Sequence, residues 1–525
     1  MPALSLRPSA RPDMARPVTP SPTTRSPASL LDDIVRRNLR LAAARLKDGA
    51  ASDAFAMYAM LSGFQPTNIR ALRGLALASI RAKRRADAVT FLSALQKSQP
   101  RNIDLLETLL ALTGLDSSEN NQARYAQTAL QMACLRPHVS RPSRSDTRLK
   151  VLVLNSLVKG QYQFNARSRA FGISAGHNNL GTLFDREAIS VEVLTVDPLV
   201  INPDLIAPVL DKLPKVDAVY CAIAAADRAQ AELEVADRIA RAIGVPMINA
   251  PSAIIKTRRE AVYEQLRDAP GLIAVNARFV SPADAAAFSQ PAWRKREGIA
   301  TPFIVRSAGY QGGRHMHAVM SDAEAVPSLP ANRGLYVIAF HDVSVADGAD
   351  TSLRLFPKYR AFWVGGELIP IHLFVADDFN VHKKNADPVM ATRPWVFEWQ
   401  ADFIENPEGH FAAGRWQQLK AGMQRLGLDY VGVDFAPSTV PGDDRLVIFE
   451  ANPAMRNWMA RLPESDPIQR QWLKVTQAAH RMLCARTARA EWPFTLARGG
   501  AAQPGDKRVD DDAAGDDAGL PDAIA

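Results

Sequence analysis

The sequence predicts three folded parts in one chain: an α-helical repeat block, a parallel α/β domain and an α+β domain. Three observations carry this. A short motif recurs at an offset of 34 residues in the first part of the chain. Strand-like runs alternate with helical stretches between residues 148 and 251. Two apolar runs near residues 428–453 are separated by turn residues and end in polar groups, the pattern of adjacent antiparallel strands.

Residues 1–29 are rich in Pro, Ser, Thr and Arg and offer little to bury, so this arm is expected to be disordered. The tail, 498–525, carries an acidic tract from Asp510 to Asp517 and is expected to be disordered too. The helical block spans 30–136. There Gln65-Pro66-Thr67-Asn68-Ile69 recurs as Gln99-Pro100-Arg101-Asn102-Ile103, and Ala54 and Ala88 keep the same 34-residue offset. That is the period of tetratricopeptide repeats, in which each unit is a pair of antiparallel helices. Ala56, Gly74, Ala78 and Ala88 are expected where helices approach closely. The block reads either as a surface for a protein or peptide partner or as a helical cap or dimer contact.

Residues 136–147 read as a linker. Strands follow at 149–154, 191–196, 218–223 and 246–249, with a long amphipathic helix at 226–243, which implies a parallel sheet wound with helices over 148–251. The polar segments 155–160 and 172–181 read as loops near the carboxyl ends of these strands, where open α/β sheets place ligands.

The chemistry concentrates further on, in 252–490. Asp434 interrupts the apolar run Tyr430-Val431-Gly432-Val433-Asp434-Phe435. After a turn containing Pro441, Gly442 and Asp443, the run Val447-Ile448-Phe449-Glu450-Ala451-Asn452-Pro453 puts Glu450 and Asn452 on one face of a strand. An isolated acid in a strand is as often an edge or turn residue. Two carboxylates and an amide oxygen together form a hard, all-oxygen set that suits magnesium carrying nucleotide phosphates. Upstream, Pro302-Phe303-Ile304-Val305-Arg306 reads as a strand ending in a cation, followed by a loop with Gly309, Gly312 and Gly313 that could expose backbone N–H groups to phosphate. Lys358 and Arg360 alternate along one strand face. Two cations there repel each other unless an anion lies between them. After the turn Gly365-Gly366 the chain returns as a second strand, making a hairpin. His372 and His382 lie near this region, each as easily a structural hydrogen-bonder as a substrate contact. His315 and His317 lack a third ligand and are not read as a metal site.

Composition narrows the function classes. With 47% hydrophobic and 22% charged residues the chain reads as soluble and globular. No run is long and apolar enough to span a bilayer and no secretory signal is visible, so no membrane is implied and a cytoplasmic protein is expected. Three scattered cysteines imply neither a disulfide framework nor a zinc site. A formal charge of +8 is not accompanied by a basic, aromatic-interleaved patch, so no nucleic acid is implied.

Taken together, the acid in a strand, the hairpin and Glu450-Ala451-Asn452-Pro453 resemble the metal-binding end of the ATP-grasp superfamily. Gly244-Val245-Pro246-Met247-Ile248-Asn249-Ala250-Pro251, with Lys256, Thr257 and Arg258 after it, looks like that family's junction between domains. The resemblance covers about 148–465. Within the family, the chain looks like a bacterial group that carries N-terminal tetratricopeptide repeats. It implies a pre-ATP-grasp α/β domain over 148–251 and an ATP-grasp α+β domain over 252–490. The implied activity is an ATP- and Mg2+-dependent joining of a carboxylate to an amine through an acyl phosphate, the two substrates being unidentified. By the same resemblance Asp434, Glu450 and Asn452 hold the metal. Arg306, Lys358 and Arg360 serve the transferred phosphoryl group, and Arg306, Gly309, Gly312, Gly313, Phe340, Asp342 and Lys358 contact the nucleotide. Two departures stand out. Arg306 replaces the family's lysine, and Ala339 stands where many relatives have a glutamate that holds adenine, leaving backbone groups and stacking for the base and Asp342 or Asp347 for the ribose. An ATP-grasp kinase and a non-catalytic scaffold with a regulatory or vestigial nucleotide site are the competing readings.

Overall fold

A computed structural model describes residues 27–114, 119–165, 170–175, 177–178, 180–308, 313, 315–331, 334–347, 352–455 and 466–493. Of the arm expected at 1–29, residues 27–29 instead open the first helix, and the rest of it and the expected tail lie outside these residues. The chain divides into two compact units, 1–100 and 101–525.

In the first unit, helices α1 (Pro27–Lys47), α2 (Ala51–Phe64), α3 (Ile69–Arg81) and α4 (Arg85–Ser98) follow one another through short turns. The repeated motif sets the helix starts. Asn68 caps α3, its side chain accepting the Ala71 N–H at 3.2 Å. Asn102 does the same for α5 (Ile103–Thr113), accepting the Leu105 N–H at 3.2 Å. Ala54, Ala78 and Ala88 are buried, and a Cβ on Gly74 would fall 2.2 Å from the Tyr58 ring, so α2 and α3 meet at a glycine. Ala56 is exposed and mediates no such approach. The buried alanine of that turn is Ala54, because the face of α2 that packs also carries Phe55, Tyr58 and Leu61.

The second unit opens with α5 and α6 (Glu119–Leu135). The next strands are β1 (His138–Arg141), β2 (Leu149–Asn155), β3 (Gln161–Asn165), β4 (Ala170–Ala175), β5 (Ile189–Thr195), β6 (Ala218–Cys221) and β7 (Met247–Ile248). One sheet has the order β1-β5-β2-β6-β7, parallel except for β1. The linker expected at 136–147 therefore begins as a strand. The open edge of β5 supplies pairing partners, and buried Glu192 accepts from Ser140 Oγ at 3.1 Å and lies 2.9 Å from His138 Nε2. The segment 172–181, read as a loop, instead starts in a β3–β4 hairpin. The amphipathic helix begins at Gln230 rather than at 226, and runs to Ile243.

Strands β8 (Leu272–Ala274), β9 (Ala277–Val280), β10 (Phe303–Ser307), β11 (Met316–Val319) and β12 (Leu335–Ala339) come next; β9–β12 form an antiparallel sheet in the order β11-β10-β12-β9. A larger sheet takes β13 (Val345–Ala346), β14 (Arg354–Val364), β15 (Glu367–Ala376), β16 (Tyr430–Pro437) and β17 (Leu446–Asn452), with β8 added parallel to β17. The β14–β15 hairpin turns on Gly365 and Gly366, at φ +58° and +101°, a conformation that side chains with a Cβ resist. Both faces of the larger sheet are covered. Tyr359, Val433 and Phe435 pack against Phe403, Phe411 and Trp416 on one side, and Phe362 and Tyr430 meet the helix Pro467–Arg486 through Trp472 on the other. Burial on two faces explains why β16 is apolar almost throughout. This is the predicted fold class: a helical N-terminal block, a parallel α/β sheet and α+β sheets. Among the described residues no helix is long and apolar enough to cross a membrane.

Candidate functional site

Register assembles the site. Across four neighbouring strands of the larger sheet, His372 pairs with Arg360, Arg360 with Asp434, and Asp434 with Glu450. Directly opposed residues share a face, so these four form one polar row in an otherwise apolar sheet. Lys358 and Asn452 stand two residues along from Arg360 and Glu450, on the same face.

Within the row, Arg360 grips Asp434 with both arms of its fork, Nε to Oδ1 at 2.7 Å and Nη2 to Oδ2 at 2.8 Å. The Lys358 ammonium lies 3.7 Å from Asp434 Oδ2 and donates to the Val381 carbonyl. Burial by itself would raise the Asp434 carboxyl, but Arg360 and Lys358 outweigh it and hold that group well below the usual carboxylate range. Lys358 is pushed down by burial, only partly offset by Asp434. Glu450 has its own cation: Arg259 Nη2 is 3.0 Å from Oε1, which also accepts from Asn452 Nδ2 at 2.9 Å. Burial opposes ionisation of Glu450, and Arg259 and Arg306 reverse that, lowering it.

Arg306 comes from the smaller sheet. It pairs with Tyr336 across β10–β12 and is almost wholly buried; burial, with Arg259 beside it, pulls its guanidinium down to about 10. Arg259, Arg306, Glu450 and Asn452 line one cleft, together with Asp227 and Tyr336. Arg259, Asp227 and Tyr336 were not singled out in the sequence. Arg259 is the last of the run Lys256-Thr257-Arg258-Arg259, and that clustering of cations at a helix start was the visible signal.

The remaining expectations are distributed as follows. Gly309 and Gly312 lie outside the described residues. Gly313 has φ +65°, and its carbonyl accepts from Asn380 Nδ2 at 3.1 Å. Phe340 meets Phe379 edge-on, with 6.0 Å between centroids. The N–H groups of Ala339 and Phe340 are taken by the carbonyls of Asn276 and Pro302, so the backbone donors considered for adenine are engaged. Asp342 is exposed and accepts the Ser344 N–H at 2.8 Å. Asp347, considered for the ribose, is buried and ion-paired with Arg393 at 2.8 Å. His382 closes a capping box at the start of the helix Lys383–Ala391. His372 is buried and stacks on Phe374 with 3.9 Å between centroids.

For magnesium the donor set is of the right kind, since two carboxylates and an amide are adjacent and hard. Both carboxylates are engaged by cations here, and the Asn452 amide oxygen accepts the Ala454 N–H at 2.7 Å. Among the described residues no group of three or more His, Cys, Asp or Glu side chains is placed to hold a metal by itself.

No family model matches the chain, and no curated protein matches it in sequence. Solved structures do. Carboxyaminoimidazole ribonucleotide synthase from Aspergillus clavatus, complexed with ATP, is 13% identical over 63% of this chain and 77% of its own, with a TM-score of 0.34. A RiPP-associated ligase from Chryseobacterium gregarium, in complex with ADP and a leader and core peptide, is 13% identical over 64% and 97%, at 0.31. The macrocyclase MdnC of Microcystis aeruginosa, bound with its precursor peptide MdnA, is 12% identical over 64% and 99%, at 0.31. These three are among the ATP-grasp ligases whose solved structures this chain is similar to. At TM-scores near 0.3 they mark a likeness only, and no residue's role is carried over from them.

Proposed function

We propose that the cleft binds ATP with magnesium and that the protein is a ligase joining a carboxylate to an amine. The observation that carries this is the charge imbalance. Arg259 and Arg306 line the cleft, and Lys358 and Arg360 adjoin it through the Asp434–Glu450 row; facing these four cations are Asp434, Glu450 and, in the cleft, Asp227, so cations outnumber carboxylates in a largely buried setting. Clustered, desolvated cations call for an anion of several charges, and a triphosphate supplies it.

In this reading the substrate carboxylate attacks the γ-phosphorus, ADP leaves, and an acyl phosphate forms. The amine then attacks the acyl carbon and inorganic phosphate departs. Arg306, Lys358 and Arg360 orient the phosphates and stabilise charge developing on the transferred group. Asp434, Glu450 and Asn452 would hold the magnesium, which when bound neutralises phosphate charge. The helical repeats make a peptide or protein substrate a reasonable choice.

Calorimetric titration of ATP, with and without magnesium, tests the reading. The parent protein should bind ATP more tightly with magnesium. Glu450→Ala removes a carboxylate but no cation, so it should keep magnesium-free binding and lose the magnesium gain, and its ligation rate should be abolished. ATP that fails to bind the folded parent would defeat the proposal. A phosphotransferase would share the site but leave phosphate on its acceptor, so product analysis separates the two. The closed ion pairs on both carboxylates favour one further reading, a regulatory or vestigial nucleotide site. Glu450→Ala activity equal to the parent's would favour it.

A further inference from the structure

Two features of the polar row remain unexplained by a static site. The first is that Asp434 has no free oxygen for a metal. Arg360 fills both of its oxygens at 2.7 and 2.8 Å, and Lys358 stands 3.7 Å off the second. A divalent cation approaching it meets two like charges. The second is His372, directly opposite Arg360 across β14–β15, 5% exposed, with a buried Nδ1 that has no hydrogen-bond partner among the described residues. A buried polar atom left unpaired is costly unless another state of the protein uses it.

We propose that Arg360 is a latch with two stations: closed on Asp434 in the nucleotide-free protein, and drawn off by a polyphosphate into a position where His372 accepts one of its N–H groups. His372 is then a positioning residue that acts through Arg360. The proposal rests on the nucleotide reading of the cleft and adds an order to it: Asp434 becomes open to a metal only once nucleotide is in place. An arginine fork matches a phosphate as well as it matches a carboxylate, so the triphosphate competes directly for Arg360. By linkage, nucleotide and metal each strengthen the other's binding by the same factor.

The test uses the full chain and Mn2+ as the probe, with free Mn2+ followed by electron paramagnetic resonance. Titrations are run with and without the non-hydrolysable ATP analogue bearing a β,γ-imido bridge. The parent should bind Mn2+ at least tenfold more tightly with the analogue than without it. Arg360→Gln should raise nucleotide-free Mn2+ affinity at least tenfold, and Arg360→Lys, which cannot fork, should raise it less. His372→Phe should leave nucleotide-free binding as in the parent but cut the nucleotide-linked gain at least threefold, and His372→Gln, which keeps an acceptor, should restore it. Circular dichroism confirms that each variant is folded, and Arg360→Lys carries the test if Arg360→Gln is not. If the analogue binds but the folded Arg360 variants stay as blind to Mn2+ as the nucleotide-free parent, the latch is wrong and the nucleotide site stands. If the analogue does not bind the parent, both fall.

Discussion

At the scale of single residues, Asp434 shows how a buried acid is kept ionised. Desolvation pushes its carboxyl up and two cations pull it down further than burial raised it. Removing one partner of a buried pair is far costlier than the pair's net worth, so Arg360→Ala should cost ~3 kcal/mol of stability, with Lys358 left as the remaining partner. The sign of the pH dependence follows from the downward shift. The contribution is complete above the ordinary value of 3.8 and disappears only as pH falls through the depressed folded value. Urea midpoints of parent and Arg360→Ala should therefore differ by a constant amount from pH 7 to ~4 and converge below that. Convergence already between pH 7 and 5 would show that the pair is not what holds the charge. Glu450 and Arg259 illustrate the limit of reading residues from sequence. The acid was legible from its place in a strand, but its cation comes from a helix far away in the chain, and nothing local marks which of four clustered polar residues will reach it.

At the scale of elements, the helix starts at Ile69 and Ile103 were legible because their punctuation is chemical. Asn68 and Asn102 each satisfy an orphan N–H at a helix start, a job few residues can do, so they recur at the repeat's period. The β14–β15 hairpin was legible for a like reason, through alternation and a Gly-Gly turn. Strand β1 was not, because its partner is the open edge of β5, remote in sequence, and the His138 and Ser140 side chains that bond Glu192 there sit among Pro, Arg and Ser with no apolar run of their own. The β3–β4 hairpin lies apart from the main sheet and has no long apolar run to announce it. Gly74 sets two element-level effects against each other. Helix propensity favours alanine there by ~1 kcal/mol, whereas packing opposes it, since a Cβ would lie 2.2 Å from the Tyr58 ring. Helices α2 and α3 would have to separate, a distortion of ~1–3 kcal/mol, so packing should win. Gly74→Ala should lower the thermal midpoint of the full chain, and adding Tyr58→Leu should restore it. A midpoint raised by Gly74→Ala alone would mean that the close approach is not enforced.

At the scale of the whole 101–525 unit, the cleft depends on parts that are remote in sequence: the loop with Asp227, the helix with Arg259, the smaller sheet with Arg306 and the larger sheet with Glu450. Their relative placement was not legible, because it is set by an apolar core shared among remote segments, together with buried polar contacts between them, and not by any local pattern. Asn249 makes the clearest of these polar contacts. Fully buried, and left-handed at φ +52°, it ends the parallel sheet and binds the start of β16 four times. Its backbone N–H donates to Asp429 Oδ2 at 2.8 Å and its Nδ2 to the Tyr430 carbonyl at 2.9 Å. Its Oδ1 accepts the N–H groups of Asp429 at 2.9 Å and Tyr430 at 2.8 Å. Asn249→Ala would strand three buried polar groups, each costing ~1–3 kcal/mol, so a local loss of ~3 kcal/mol is a low estimate. That corresponds to about a hundredfold faster native-state hydrogen exchange at the Asp429 and Tyr430 amides. Because the helix that follows Asn249 leads directly to Arg259, the same change should loosen Arg259 from Glu450 and weaken ATP binding without touching a site residue. Unchanged exchange at those two amides would locate the joint elsewhere. Faster exchange with undiminished ATP affinity would show that Arg259 is held by its own helix.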